Sequence, residues 1–251
     1  MESLSQSKEP FDVVVVDDGS TPALDVSRFR VHLIRLPCNG GPVEAANVGL
    51  EWILRQGYDY MARNDAGDLS SSERLARQVT YLDQHPACML VGSDVDVFNG
   101  EGQYQFTLTP PRNGKTLASS LIEHSWLLHS SLMFRASVFA EVGPYSAEFP
   151  AAEDHELCLR IGSKYPIAVV PERLVSMICS ETGISIMKRR IQLISRLRLQ
   201  LRYFRWTSPR SYRGIIKCLI SLSLPLSFVR WLKRKYIYSR VGETALNHQI
   251  V

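Results

Sequence analysis

Three pairs of acidic residues stand where an α/β protein keeps its reactive edge. Asp17 and Asp18 end a run of four valines, Val13–Val16, and are followed by Gly19. Asp65 and Asp68 follow a second apolar stretch, Tyr58–Arg63. Glu153 and Asp154 open an expected helix. Carboxylates in such places accept hydrogen bonds from ligands, hold hard cations or take protons from hydroxyl groups. Each pair also has a plainer reading. The first suits a solvated Asp-Gly turn, and the third complements the positive end of a helix. Asn39, Gly41 and Asn47 lie between the first two pairs, and His129 lies before the third.

These residues need elements to position them. Four β-branched residues in a row predict a strand buried on both faces, with Asp17 and Asp18 at the C-terminal edge of a parallel sheet. Val31–Leu36 reads as a second strand. The turn Asn39-Gly40-Gly41-Pro42 opens a helix over 43–56, with Ala46, Leu50, Ile53 and Leu54 at helical spacing. Tyr58–Arg63 is a third strand. Ser70 and Glu73 form a capping box for a helix whose apolar face is Leu75, Val79 and Leu82. Cys88–Phe98 turns at Asn99-Gly100 into Gln103–Leu108, a hairpin. A helix over 116–123, a strand over 132–134 and a helix over 153–163 follow. The alternation predicts an α/β sheet flanked by helices.

Charge divides the chain. Residues 188–251 carry 15 of the 29 Lys and Arg residues and a single acid, Glu243, for a net +14. The remainder carries −10, and the whole carries +4. Such a basic tail seeks a polyanion. Residues 184–207 read as a basic amphipathic helix, and 210–238 as an apolar stretch with basic ends. The longest charge-free window, Cys218–Val229, is twelve residues interrupted by Pro225, too short to span a bilayer. We read residues 188–240 as lying on an anionic membrane surface. A helical extension packed on the domain is the alternative. Nucleic acid is the weaker partner, because Tyr203, Phe204, Trp206, Trp231, Tyr236 and Tyr238 suit an interfacial belt at least as well as base stacking. The five cysteines are scattered and form no Cys-x-x-Cys pair, as in a reducing compartment. Met1–Pro10 is polar and has no signal-peptide core. The expected location is the cytoplasm, peripheral on the inner face of the cytoplasmic membrane.

Five stretches in order carry a resemblance: V-V-V-D-D-G-S, N-G-G-P-V-E-A-A-N, A-R-N-D-A-G-D-L-S-S-S-E-R-L-A-R-Q, H-S-S-L-M-F-R-A-S-V-F-A-E-V-G-P-Y and A-E-D-H-E-L-C-L-R-I. Over roughly residues 11–165 the chain resembles the family 2 glycosyltransferases of the GT-A fold. The resemblance implies an α/β GT-A domain over 1–183, whose sheet binds a nucleotide sugar, and a basic helical extension over 184–251. It implies transfer of a sugar from a nucleotide diphosphate sugar to a surface-glycan or lipid-linked acceptor, with inversion. Asp17, Asp18, Asn39, Gly41, Asn47 and Asp65 would then bind the nucleotide sugar. Asp18 would accept from the base, and Asp65 would lie against the ribose and diphosphate. Asp154 would be the general base, because an acceptor hydroxyl is a poor nucleophile until its proton is taken. Glu153 and His129 would lie on the acceptor side. His129 reads equally well as a hydrogen-bonded structural histidine.

The sequence departs from the family pattern twice. The family places Asp-x-Asp after its third strand, and the second Asp binds Mg²⁺ or Mn²⁺. Here that position is Gly67, and Asp68 is the nearest substitute, so an Mg or Mn site would rest on Asp65 and Asp68. The family also begins with a strand that lies centrally in the sheet. Here Glu2-Ser3-Leu4 reads as the end of the helix that follows it, so two apolar strand edges are expected to stand open. The start is then internal to a longer protein or marks a shortened remnant. Two rival functions follow: a non-catalytic GT-A remnant, and a nucleotide- or nucleic-acid-binding module.

Overall fold

The computed structural model describes residues 3, 6–7, 9–179 and 189–224. In chain order the elements are β1 (Val14–Asp17), β2 (His32–Arg35), α1 (Pro42–Gln56), β3 (Tyr60–Ala62), β4 (Leu69–Ser70), α2 (Arg74–Gln84), β5 (Leu90–Asn99) and β6 (Tyr104–Leu108). After these come α3 (Gly114–Ser120), a 3₁₀ turn at His129–Ser131, β7 (Met133–Arg135), α4 (Val138–Val142), α5 (Glu153–Lys164), β8 (Ile167–Cys179), α6 (Arg189–Arg202) and α7 (Pro209–Ser223).

The described strands form two sheets. β1 and β2 pair in parallel as one, and the second runs β3-β7-β5-β8-β4 with β6 paired to β5. This second sheet is mixed rather than parallel. β5 and β8 run parallel, while β3–β7, β5–β7, β4–β8 and β5–β6 are antiparallel. Successive strand residues face opposite sides, so Leu90 and Phe134 pack with Leu117, Leu121, Leu157 and Ile161, while Val91 and Met133 pack with Leu75, Leu82 and Leu174. α1 lies close on β1. A Cβ at Gly49 would sit 3.3 Å from a Val16 methyl group.

Most expected elements are present with shifted ends. Two expectations need correction. Ser70 does not cap a helix: it pairs in β4, and α2 begins at Arg74 after a turn closed by the Arg74 N–H on the Ser71 carbonyl at 3.1 Å. The second is β8, thirteen residues long and central, where the sequence reading has no strand. Pro171-Glu172-Arg173 breaks its apolar run. The register with β5 jumps there, from Ser93 opposite Val170 to Asp94 opposite Arg173, and the bulge absorbs the proline.

The basic extension packs on the α/β body. Leu199 of α6 enters the core with Leu157 and Ile161, and Cys218 of α7 is buried. Glu123, whose side chain is 8% exposed, pairs with Lys217 and lies 3.3 Å from Arg213. Burial would push the Glu123 carboxyl up, but Lys217, His124 and Arg213 outweigh it and hold it low. Residues 225–251, with the basic cluster Arg230–Lys235 and Trp231, Tyr236 and Tyr238, lie outside the described residues, as does 180–188.

Candidate active site

The strand-end acids form two groups. In the first, Asp17 is buried at the end of β1. Its carboxylate accepts the N–H of Ser20 at 2.9 Å and of Leu24 at 3.1 Å, and the Arg35 Nε at 3.1 Å. Ser20 and Leu24 hold it well below the usual carboxylate range, with Arg35 adding to them. Asp18 accepts the N–H groups of Gly40 at 2.7 Å and Gly41 at 2.9 Å, and its carbonyl accepts from the Asn39 amide at 3.2 Å. This clasp closes the loop that opens α1. Gly41 has φ 89°, and no atom lies within 4 Å of the Cβ position it leaves empty, so its backbone is open to a ligand. Asn47 turns elsewhere. Its side-chain amide donates to the Tyr145 carbonyl at 3.0 Å and accepts the Tyr145 N–H at 2.9 Å, so it positions that segment.

The second group joins segments far apart in sequence. Asp65 lies 3.1 Å from Arg63 and 3.5 Å from His129 Nδ1. Burial acts to raise its pKa, but the His129 and Arg63 contacts prevail and hold it at about 2. His129 Nε2 shares a hydrogen bond with the Tyr145 hydroxyl at 3.0 Å. Ser130 accepts the Asp65 N–H at 3.0 Å and donates to Asp68. Glu153 and Asp154 begin α5 beside these groups. Burial, then the nearby charges of Asp154 and Asp65, push the Glu153 carboxyl up, and its Oε2 is buried without a hydrogen-bond partner. Asp154 Oδ1 accepts the His155 N–H at 2.7 Å. Ala151, two residues before Glu153, sits at φ 61°, a left-handed conformation that costs an alanine about 1 kcal/mol. Asp65, Asp68, His129, Glu153 and Asp154 thus converge. Among the described residues no hydrogen bond or ion pair links them to Asp17 or Asp18.

A buried pair behind this group is absent from the sequence reading. Arg74 is wholly buried and donates to the carbonyls of Arg63 at 2.8 Å and Leu132 at 3.2 Å, and to Gln78 at 3.0 Å. Gln78 donates to the Ser131 carbonyl at 2.7 Å. The pair ties the Asp65 loop to the His129–Ser131 turn. Burial lowers the Arg74 pKa to about 10, with Asp65 and Asp68 acting against it, so it remains charged near neutrality. One signal was legible: Gln78 shares a helix face with Leu75 and Leu82, where a polar residue needs a buried partner.

The residues do not fit a divalent ion well. Gly67, with φ 96°, offers no ligand. Asp65 is engaged by Arg63 and His129, and Asp68 by Ser130. Among the described residues no three ligating side chains are grouped to hold a metal.

The match to known proteins decides the family. Residues 2–143 match the model of glycosyl transferase family 2. The chain is a family 2 glycosyltransferase. This glycosyltransferase is 29% identical to the amylovoran biosynthesis glycosyltransferase AmsE of Erwinia amylovora, over 96% of this chain and 92% of that one. Its fold is the GT-A fold. It resembles Staphylococcus aureus TarS 1–349 in complex with UDP-GlcNAc with a TM-score of 0.62 at 20% identity, covering 90% of this chain and 71% of that one. It also resembles the mannosyltransferase PcManGT of Pyrobaculum calidifontis, in complex with GDP-Man and Mn²⁺, with a TM-score of 0.57 at 17% identity, covering 89% and 64%.

Proposed function

We propose that this glycosyltransferase moves a sugar from a nucleotide diphosphate sugar to a surface-glycan or lipid-linked acceptor, inverting the anomeric centre. The observation that carries the reading is the convergence of Asp65, His129, Glu153 and Asp154, with a buried Glu153 oxygen left for a ligand to satisfy. The loop of Asn39 and Gly41, clasped by Asp18, receives the nucleotide, and Asp65 faces its ribose and diphosphate. Asp154 takes the proton of the acceptor hydroxyl as the oxygen attacks the anomeric carbon, and the nucleoside diphosphate leaves from the opposite face. His129, fixed by Asp65 and Tyr145, orients the acceptor. Glu153 is a second candidate for the base, since burial and the charges of Asp154 and Asp65 raise its carboxyl pKa, which makes its carboxylate a stronger proton acceptor. No step is assigned to a metal ion. The test is incubation with a panel of nucleotide sugars and polyprenyl-linked sugar acceptors, with the product anomer read by NMR. Inversion of the donor configuration supports the reading. Retention overturns it, and absence of turnover across the panel favours the non-catalytic alternative.

The acceptor class draws support from the extension. α7 turns Ser211, Gly214 and Cys218 inward and leaves Tyr212, Ile216, Leu219 and Ile220 exposed. α6 exposes Ile191, Ile194 and Leu201, and Trp206 between the two helices is 80% exposed. Exposed apolar stripes flanked by arginines suit the interface of an anionic membrane. No described helix is long and apolar enough to cross one. Lys217 and Arg213 serve the body through Glu123, so the apolar stripe carries much of the binding. Ile216→Glu with Ile220→Glu should cut co-sedimentation with phosphatidylglycerol vesicles by tenfold or more. Unchanged co-sedimentation, or none for the parent chain at low salt, would leave the extension as a packed helical pair.

A further inference from the structure

One face of the larger sheet stays open where β6, β5, β8 and β4 lie side by side. The register builds two rows across it. Thr107, Asp96, Ser176 and Leu69 stand opposite one another in the first, and Tyr104, Phe98 and Ile178 in the second. Asp96 to Phe98 and Ser176 to Ile178 are two-residue steps, so both rows point to the same side. Val95, Val97 and Val175, which alternate with them, are buried on the other side. Leu69, Tyr104 and Ile178 are exposed.

The rows begin at the acids of the active site. The Ile178 N–H is turned to the Asp68 carboxylate, which Ser130 also holds. Apolar and polar groups are interleaved on the face. The Phe98 and Tyr104 rings meet edge to face, with centroids 5.9 Å apart. The Tyr104 hydroxyl shares a hydrogen bond with Thr107 at 2.9 Å, and Thr107 donates to Asp96 at 2.5 Å. Arg173 lies 3.8 Å from Asp96. Asp94, two residues before Asp96 on the same side, is buried, and one of its oxygens takes Arg112 at 2.6 Å. Its other oxygen is buried without a hydrogen-bond partner. A carboxylate oxygen left so is costly until a donor reaches it.

We infer that this face is a subsite for a pyranose ring of the acceptor glycan, next to the ring whose hydroxyl attacks the donor. A pyranose has an apolar face of C–H groups and a rim of hydroxyls. The row of Phe98, Tyr104 and Ile178 takes the apolar face. Asp94, Asp96 and Thr107 accept hydroxyl protons, and Arg173 donates to hydroxyl oxygens. A lipid chain or an apolar protein surface would strip water from Asp96 and Arg173 and return no hydrogen bonds, which is why the occupant is a sugar. The inference rests on the transfer reading and adds where the acceptor glycan lies.

The test is saturation-transfer NMR on the full chain, with UDP, GDP and the methyl α- and β-pyranosides of glucose, galactose, mannose and N-acetylglucosamine in the same samples. At least one glycoside should receive saturation, strongest on the C–H protons of one ring face. Tyr104→Ala should lower that signal relative to the nucleotide signal by about fivefold or more, the worth of an aromatic contact, and Tyr104→Phe should restore it. If Tyr104→Ala does not fold, Tyr104→Phe identifies the Tyr104 ring signal of the tyrosine-labelled parent chain, and the glycoside must shift it. The proposal is overturned if no glycoside is saturated, if Tyr104→Ala leaves the ratio unchanged, if the Tyr104 signal is unmoved, or if sedimentation shows a dimer that Tyr104→Ala dissolves. The nucleotides separate the two readings. A nucleotide signal without a glycoside signal removes the subsite alone, and absence of both removes the donor reading with it.

Discussion

The same device, a carboxylate at a strand end, is built on two different supports. At the end of β1, Asp17 and Asp18 are held mainly by backbone N–H groups, those of Ser20, Leu24, Gly40 and Gly41, with the Arg35 side chain adding one contact to Asp17. Of the four residues of β1 only Asp17 is buried. At the end of β3, Asp65 is held by side chains, Arg63 and His129, with the Arg74–Gln78 pair behind them, and the supporting β5 is buried from Leu90 to Val95. The first group organises itself locally, whereas the second depends on the whole core. Local opening should therefore be easier at β1–β2 than at β5–β8.

Arg74→Met tests the dependence most severely. It leaves Gln78 and the Arg63 and Leu132 carbonyls short of a donor, and we expect a loss of about 3 kcal/mol or more in urea unfolding. Exchange should accelerate at Asp65 and Ser130 while the Asp18 clasp is unaffected. A uniform acceleration across both groups would erase the contrast.

Acid should reach the core-supported half through identified residues. His155 is buried, bonded to the Leu121 carbonyl at 2.6 Å, and burial lowers its pKa to about 4. The unfolded chain takes up that proton first, so stability should begin to fall below about pH 6.5 and continue to about 4. Asp65 is held at about 2 despite its burial, by His129 and Arg63. Its contribution is present above the unfolded carboxylate range and is lost as pH falls from about 4 towards 2. A urea series against pH checks both steps, and His155→Gln should flatten the first.

Two backbone positions give smaller effects. Gly67→Asp places a side chain at φ 96°, and we expect about 1 kcal/mol of destabilisation with little gain in Mn²⁺-dependent UDP binding by calorimetry. Ala151→Gly relieves φ 61° and should raise stability by ~0.5 kcal/mol, read as a higher melting temperature.

The sequence displayed the local half of this contrast more clearly than the long-range half. Val13–Val16, Gly41 and the helix after Pro42 declare themselves through propensity and spacing. Two open apolar strand edges are also expected, and among the described residues β1 and β3 each have one side without a strand partner. β8 was hidden because Pro171, Glu172 and Arg173 sit at a bulge that only its partner β5 explains. Arg74 was hidden because a charged helix residue reads as solvated until the carbonyls that surround it are known. Asn47 matched a nucleotide-binding pattern, yet its amide holds Tyr145, a contact 98 residues distant in sequence. Capping at Ser70 failed for the opposite reason: β4 claims that residue for pairing with Val175.

The most direct test of the proposed chemistry is turnover by Asp154→Asn, measured beside Glu153→Gln under the same nucleotide sugar and acceptor. The Asp154 change should keep the melting temperature and UDP binding and lower transfer about 10²-fold or more, the usual worth of a positioned base, with the smaller loss at Glu153. Near-normal transfer by a folded Asp154→Asn protein would contradict the assignment.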